Sequence, residues 1–198
     1  MKQVDSVKKQ RLIHTAQRLF GRFGFKKTTI EEIIRLTRIA KGTFYKYFPN
    51  KEALFLEIVK EESANLISAI RKAVARSSNS QEKMKYYIAT KVSKIIELVN
   101  FHQITRENID EYWPHIEEVR ENYLNEEQKI VHEIIINGIS NGEFEVTNPE
   151  LTAYVIVMTI EGLESTWRIK TSPMELGEAI ELFLNILFRG ILKNKFQP

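Results

Sequence analysis

The chain contains no cysteine among its 198 residues, so disulfides and thiolate chemistry are excluded. That absence fits a reducing compartment. No segment approaches the run of about 18 apolar residues needed to span a bilayer. The N-terminal stretch MKQVDSVKKQ lacks the apolar core of a secretory signal. A cytoplasmic protein with no membrane association is therefore expected. Internal repeats and low-complexity segments are absent as well. The four histidines, His14, His102, His115 and His132, show no zinc-ligand spacing. His132-Glu133 begins like a zinc-protease motif, but Ile136 stands where the second histidine would be. There is no Gly-rich phosphate loop, nucleophile elbow or triad pattern. No catalytic residue, metal site or cofactor is expected, and an enzyme is not.

What is present is an ordinary globular composition, 43% hydrophobic and 28% charged, with an uneven distribution of charge. Residues 1–51 hold 13 Lys/Arg against 3 Asp/Glu, a net of +10. Residues 52–198 hold 16 against 23, a net of −7, which leaves the overall +3. A basic first quarter on an acidic body points to a polyanion-binding head. The plainer alternative is a solvated basic helix face.

Almost every segment has helical periodicity. Val7, Leu12, Ile13, Ala16, Leu19, Phe20 and Phe23 recur at helical spacing over 6–23, and Gly24 is placed to end that helix. A second helix opens at Thr28 or Thr29. Thr28 with Glu31 and Thr29 with Glu32 both fit a capping box. Its buried side comprises Ile30, Ile33, Ile34 and Leu36. A third short helix runs from about Ala40 to Tyr47 and stops before Pro49. Further helices are expected over 51–76, 82–100, 105–112, 115–140, 149–169 and 174–193, separated by polar or proline-containing breaks.

The last two helices are apolar over too much of their circumference to bury a single face. Leu176, Ile180, Phe183, Leu184, Leu187 and Ile191 form one stripe, with Ala179, Leu182 and Ile186 beside it. In 149–169, Leu151, Tyr154, Val155 and Met158 face one way, and Ala153, Ile156, Val157 and Ile160 another. Gly162 permits close helix approach. Either these helices are central or they pair with a second subunit. A terminal helix is seldom fully enclosed in so small a body, which favours a homodimer through Val155, Met158, Gly162, Phe183, Leu184, Leu187 and Ile191.

Two short helices separated by a few residues, the second carrying Lys41, Thr43, Tyr45, Lys46 and Tyr47, suit a DNA major groove. Ala16-x-x-Leu19-Phe20, Gly24-Phe25, Thr28-Thr29-Ile30, Ile33, Gly42-Thr43-Phe44-Tyr45, Tyr47-Phe48 and Lys51-Glu52-x-Leu54 resemble the signature of TetR-family transcriptional regulators. The signature spans about residues 7–56, and its spacing matches throughout. The remainder is similar to the family only as an all-helical body of the right length. The segments Lys60-Glu61-Glu62-Ser63 and Asn141-Gly142-Glu143 resemble, with far less specificity, the members that sense cationic drugs.

The resemblance implies an all-α protein, with an N-terminal helix-turn-helix head over 1–50 and a helical ligand-binding and dimerisation body over 51–198. It implies DNA contacts by Thr28, Thr29, Lys41, Gly42, Thr43, Tyr45, Lys46, Tyr47 and Lys51; Arg38, which departs from the family pattern, is expected to compensate by contacting a phosphate. Hydroxyls and free N–H groups at a helix N-terminus suit a phosphate. Gly42 allows close approach, and Thr43 reaches a base edge or thymine methyl. Tyr45 and Tyr47 offer hydroxyls to phosphates; the alternative is that they pack on the fourth helix. Lys51 would grip the backbone. Phe44 and Phe48, four apart, should face the core. Two positions depart from the family pattern: Arg38 replaces a turn glycine, at about 1–2 kcal/mol if the site is left-handed. Ala40 replaces the usual capping serine, at about 1 kcal/mol.

The body of such regulators holds a small ligand that shifts the spacing of the two DNA-reading heads. Here the ligand-lining candidates are Tyr86, Tyr87, Phe101, His102, Tyr112, Trp113, Tyr123 and Trp167, each of which also reads as core. Glu61 and Glu62 face either a cationic ligand or solvent. The expected partners are a double-stranded DNA operator and an apolar or amphipathic small-molecule effector. The expected activity is repression released by that effector. The competing reading is a TetR-like nucleoid-associated interaction protein without a ligand.

Overall fold

The structure, a computed structural model, describes the backbone of residues 2–95, 113–170 and 173–191, and the side chains of 5–94, 114–163 and 178–191. The described residues form eight helices: α1 (Lys2–Phe23), α2 (Ile30–Thr37), α3 (Lys41–Tyr47), α4 (Lys51–Val74), α5 (Ser80–Ile95), α6 (Trp113–Ser140), α7 (Pro149–Lys170) and α8 (Pro173–Ile191). The fold is all-α, as the periodicity predicts. The helix expected over 105–112 lies outside the described residues. None of the described helices is long and apolar enough to cross a membrane. These helices fall into two compact units. The first runs to Asn65 and includes the start of α6 as far as Glu121; the second holds the rest of α4 and α6 with α5, α7 and α8.

In the first unit α1 buries Leu12, Ile13, Ala16 and Phe20. Their spacing of three and four residues keeps them on one helical stripe. Val7 and Phe23, also counted in that stripe from sequence, are exposed at its two ends. Phe20 packs against Phe25 and Phe55, with centroids 5.4 Å away in each case. On α2, Ile33 is buried, whereas Leu36 is exposed and does not join the buried side expected of it. Gly24 ends α1 at φ 86, a left-handed position that glycine takes without penalty, and its N–H donates to the Phe20 carbonyl at 2.8 Å. The polar faces of α1 and α4 are laced together. Lys9 pairs with Glu57, Gln10 donates to Glu61 at 3.0 Å, and Gln17 donates to Glu62 at 2.9 Å. Glu62 is thus buried in a contact to α1 and is not solvated.

In the second unit the core is built from Leu66 and Ile70 of α4, Met84 and Ile88 of α5, Ile130, Val131, Ile134 and Ile135 of α6, and Ala153, Ile156, Val157 and Ile160 of α7. Asn79 and Asn148 cap α5 and α7 by accepting the Glu82 and Leu151 N–H groups at 2.8 and 3.0 Å. Pro149 then takes the first turn, where its missing N–H costs nothing. Gly138 leaves room for the Phe144 ring, which lies where a Cβ would stand. The Glu145 N–H donates to the Ile191 carbonyl at 2.8 Å and ties the end of α8 to that turn.

Candidate nucleic-acid interface

The helix-turn-helix is set by local chemistry. Thr29 is the cap of α2: its hydroxyl accepts the Glu32 N–H at 3.2 Å, and Glu32 accepts the Thr29 N–H at 2.9 Å. The reciprocal bonds resolve the sequence ambiguity in favour of Thr29–Glu32, and they hold the Glu32 carboxyl below the usual range. α2 ends at Arg38, whose φ 54 and ψ 33 are left-handed. Arg38 is the one non-glycine among the described residues with positive φ. Ala40 starts α3 with no side-chain cap. Both departures from the family pattern are therefore real local costs. α3 then buries Phe44 and Phe48, as their spacing predicts, and ends before Pro49.

Burying Phe44 and Phe48 turns the rest of α3 outward. Lys41, Gly42, Tyr45 and Lys46 are exposed; Thr43 and Tyr47 are half-buried. The Tyr45 ring packs edge-on against Phe44 at 5.3 Å, within its own helix, while the residue stays 45% exposed. Lys41 reaches Glu31 of α2 at 3.3 Å. Gly42 has ample space: a Cβ built there meets nothing within 4 Å.

Two of the expected phosphate contacts have their side chains engaged within the chain. Thr28 is 1% exposed, and its hydroxyl donates to the Gly24 carbonyl at 3.0 Å, which turns it into the chain. Lys51 donates to the carbonyls of Phe25 and Thr28 at 2.9 and 3.0 Å, with its ammonium 4.2 Å from the Phe25 ring centre. It clamps the α1–α2 connection to the start of α4. A lysine opening a helix looks like a phosphate ligand in sequence; only the tertiary fold brings two carbonyls beneath it.

Asp5 is the residue sequence reasoning missed. Its carboxylate accepts from Lys46 Nζ at 2.9 Å and from the Tyr47 hydroxyl at 2.8 Å. Lys46 first, then Tyr47, holds the Asp5 carboxyl below its ordinary range. Desolvation, followed by the Asp5 contact, raises the Tyr47 phenol. No local signal links residue 5 to residues 46 and 47, so only the fold reveals it.

Among the ligand candidates, Tyr87 and Tyr123 are buried in the second unit and Tyr86 is half-buried. Phe101, His102 and Tyr112 lie outside the described residues, as do the side chains of Trp113 and Trp167. Tyr87 and Tyr123 surround a charged cluster absent from the sequence reading. Lys91, 1% exposed, pairs with the fully buried Glu127 at 2.6 Å and lies 3.9 Å from Glu161. The Tyr87 hydroxyl donates to Glu127 at 3.3 Å, and the Lys91 ammonium is 5.6 Å from the Tyr123 ring centre. Burial pushes the Glu127 carboxyl up, against the pull of Lys91. The signal was present: Lys91 lies four residues after Tyr87, and Glu127 four after Tyr123, each inside an apolar stripe. A separate crevice of about 310 Å³ in this unit is lined by other residues, Arg71, Lys83 and Glu133 among them.

The dimer candidates divide. On α7, Val155 and Gly162 are exposed and Met158 is half-buried, and Leu151 and Tyr154 extend the same face. On α8, Phe183, Leu184 and Leu187 are half-buried, and Ile191 is 8% exposed within its own chain. The exposed positions of α8 are Leu182 at 61% and Ile186 at 63%, from the neighbouring stripe. The exposed apolar side of α8 is thus rotated by about one residue relative to the interface expected from sequence.

Residues 12–58 match the family described as bacterial regulatory proteins, tetR family. Residues 59–190 match the one described as YsiA-like protein, C-terminal region. The chain is 25% identical over 190 residues to the fatty acid metabolism regulator protein of Bacillus subtilis, with 93% of this chain and 95% of the relative covered. It is 26% identical over 196 residues to the HTH-type transcriptional regulator QacR of Staphylococcus aureus, with 93% and 98% covered. The fold is shared with the transcriptional regulator FadR from Bacillus subtilis in complex with stearoyl-CoA, at TM-score 0.69 and 24% identity, covering 88% of this chain and 96% of that one. With its capped, outward-facing α2–α3 head and both matches in register along the chain, this protein belongs to the TetR family of DNA-binding transcriptional regulators.

Proposed function

We propose that the protein is a homodimeric repressor, acting in the cytoplasm, that leaves its operator when a small molecule binds the C-terminal body. DNA contact falls to residues 1–50, and ligand binding and dimerisation to 51–198. The observation that carries this function is the outer face of α3, where Lys41, Gly42, Tyr45 and Lys46 are exposed while Phe44 and Phe48 anchor the helix from beneath. Neither packing nor a positive φ requires glycine at position 42. Glycine there costs a helix about 0.5–1 kcal/mol against alanine. Close approach of a DNA backbone is a use for it that lies outside the chain. Thr29, Arg38, Thr43 and Tyr47 flank that face, and the surplus of positive charge in the first 51 residues supplies sequence-independent attraction.

An apolar or amphipathic effector is supported by two of the similar proteins, the fatty acid metabolism regulator and the FadR complex with stearoyl-CoA. Tyr87, Tyr123 and the Lys91–Glu127 pair form a buried mixed apolar and charged cluster in the second unit, with which such a ligand would have to compete. The ligand must bind the DNA-incompetent state more tightly than the competent one. α4, which begins at Lys51 and ends at Val74, is the lever. The exposed faces of α7 and α8 are the second subunit's site. Anisotropy with a labelled duplex from upstream of the protein's own gene tests the function. Binding that falls steeply with salt and is reversed by stearoyl-CoA is expected. Salt-independent binding, or no binding, would refute the head assignment. Tight binding untouched by acyl-CoA or cationic dyes would refute release by these effectors.

A further inference from the structure

Lys46 and Tyr47 are adjacent in α3, yet their polar ends converge on one carboxylate, that of Asp5 in the first turn of α1. The two donors grip different oxygens, Lys46 on Oδ2 and Tyr47 on Oδ1. A DNA phosphate presents the same pattern: two anionic oxygens that accept and never donate. The cluster is open to solvent, with the Lys46 and Asp5 side chains 61% and 42% exposed. It holds no buried core together. Helix α1 gains a little from an acid in its first turn, but that gain does not require the carboxylate to reach α3.

We infer that Asp5 occupies, in the DNA-free protein, the phosphate subsite formed by Lys46 and Tyr47, and that it competes with the DNA backbone for them. The inference rests on the DNA-binding reading given above. Binding then exchanges one anion for another at these two donors. The protein gives up an existing ion pair before it gains a phosphate contact, so the net contribution of Lys46 and Tyr47 to affinity is reduced. Asp5 sets the head's affinity without touching DNA. The opposite role is equally concrete: Asp5 would be a buttress that fixes Lys46 and Tyr47 for DNA, and its loss would weaken binding.

Asp5→Asn, with Asp5→Ala as a second variant, separates these roles in the full-length protein. The probe is a fluorescein-labelled mixed-sequence duplex of about 30 base pairs, titrated at several salt concentrations, because phosphate contacts are independent of sequence. Releasing one exposed ion pair should tighten binding by about 1.4- to 5-fold. The salt dependence of log K should steepen by up to about 0.9, one phosphate's worth of counterion. In a Lys46→Ala, Tyr47→Phe background the gain from Asp5→Asn should shrink toward nothing. Unchanged or weaker binding by both Asp5 variants, with melting temperatures retained, overturns the competition. So does a gain that persists without Lys46 and Tyr47. If the parent protein binds no duplex at all, the DNA-binding assignment fails, and the inference with it. Parental binding with unresponsive Asp5 variants sinks the inference alone.

Discussion

Replacing Arg38 tests the turn of the helix-turn-helix in two independent ways. Its backbone is left-handed, φ 54 and ψ 33, and its side chain is exposed. A residue with a Cβ gives up about 1–2 kcal/mol in that conformation. Glycine escapes the clash but has more freedom to lose on folding, about 0.5–1 kcal/mol. Arg38→Gly should therefore be more stable than Arg38→Ala by about 0.5–1 kcal/mol. In a chain of this size that is about 1–4 °C in melting temperature. Both variants lack the guanidinium and differ only in the Cβ, so the difference isolates the backbone strain. The same pair also reports on DNA. If Arg38 contacts a phosphate, both variants should flatten the salt dependence of log K by about 0.9 relative to the parent. Calorimetry and salt-series anisotropy read the two quantities separately. A glycine variant no more stable than the alanine one would refute the strain argument. An unchanged salt slope in both would remove Arg38 from the DNA interface.

Lys91→Met leaves Glu127 buried without its cation and should cost about 3–5 kcal/mol in denaturant unfolding, whereas adding Glu127→Leu should recover more than half of that. A double variant no better than the single would show that the stranded Glu127 charge is not what destabilises it. Lys51→Met removes two charge-assisted bonds to the α1–α2 connection and should destabilise the protein by about 2–3 kcal/mol. An unchanged melt with lost DNA affinity would return Lys51 to the phosphate backbone. Leu182→Glu with Ile186→Glu should give a folded monomer by light scattering; an intact dimer would place the subunit interface elsewhere.

The all-helical fold, the head and the inward Phe44 and Phe48 were legible because each depends on residues a turn or two apart. Periodicity of 3.6, a threonine and glutamate three apart, a glycine after Phe23 and a proline after Phe48 act locally, and sequence displays local rules directly. Arg38 stood out only against the family pattern, in which a glycine holds the turn; its left-handed backbone, φ 54, came from the structure. The tertiary structure decided which chemically suitable side chains are available. The family resemblance put Lys51 and Thr28 at DNA, yet packing brings the carbonyls of Phe25 and Thr28 beneath Lys51, and the Thr28 hydroxyl turns back to Gly24 of its own connection. Ile191 turned inward while Leu182 and Ile186 stayed out, because a wide apolar helix does not state which of its stripes the chain will cover. Asp5, Lys91 and Glu127 owe their surroundings to partners 36 to 42 residues away. Sequence specifies the chemistry a residue carries and the helix that carries it. What that chemistry meets is set only when distant helices come together and water is excluded between them.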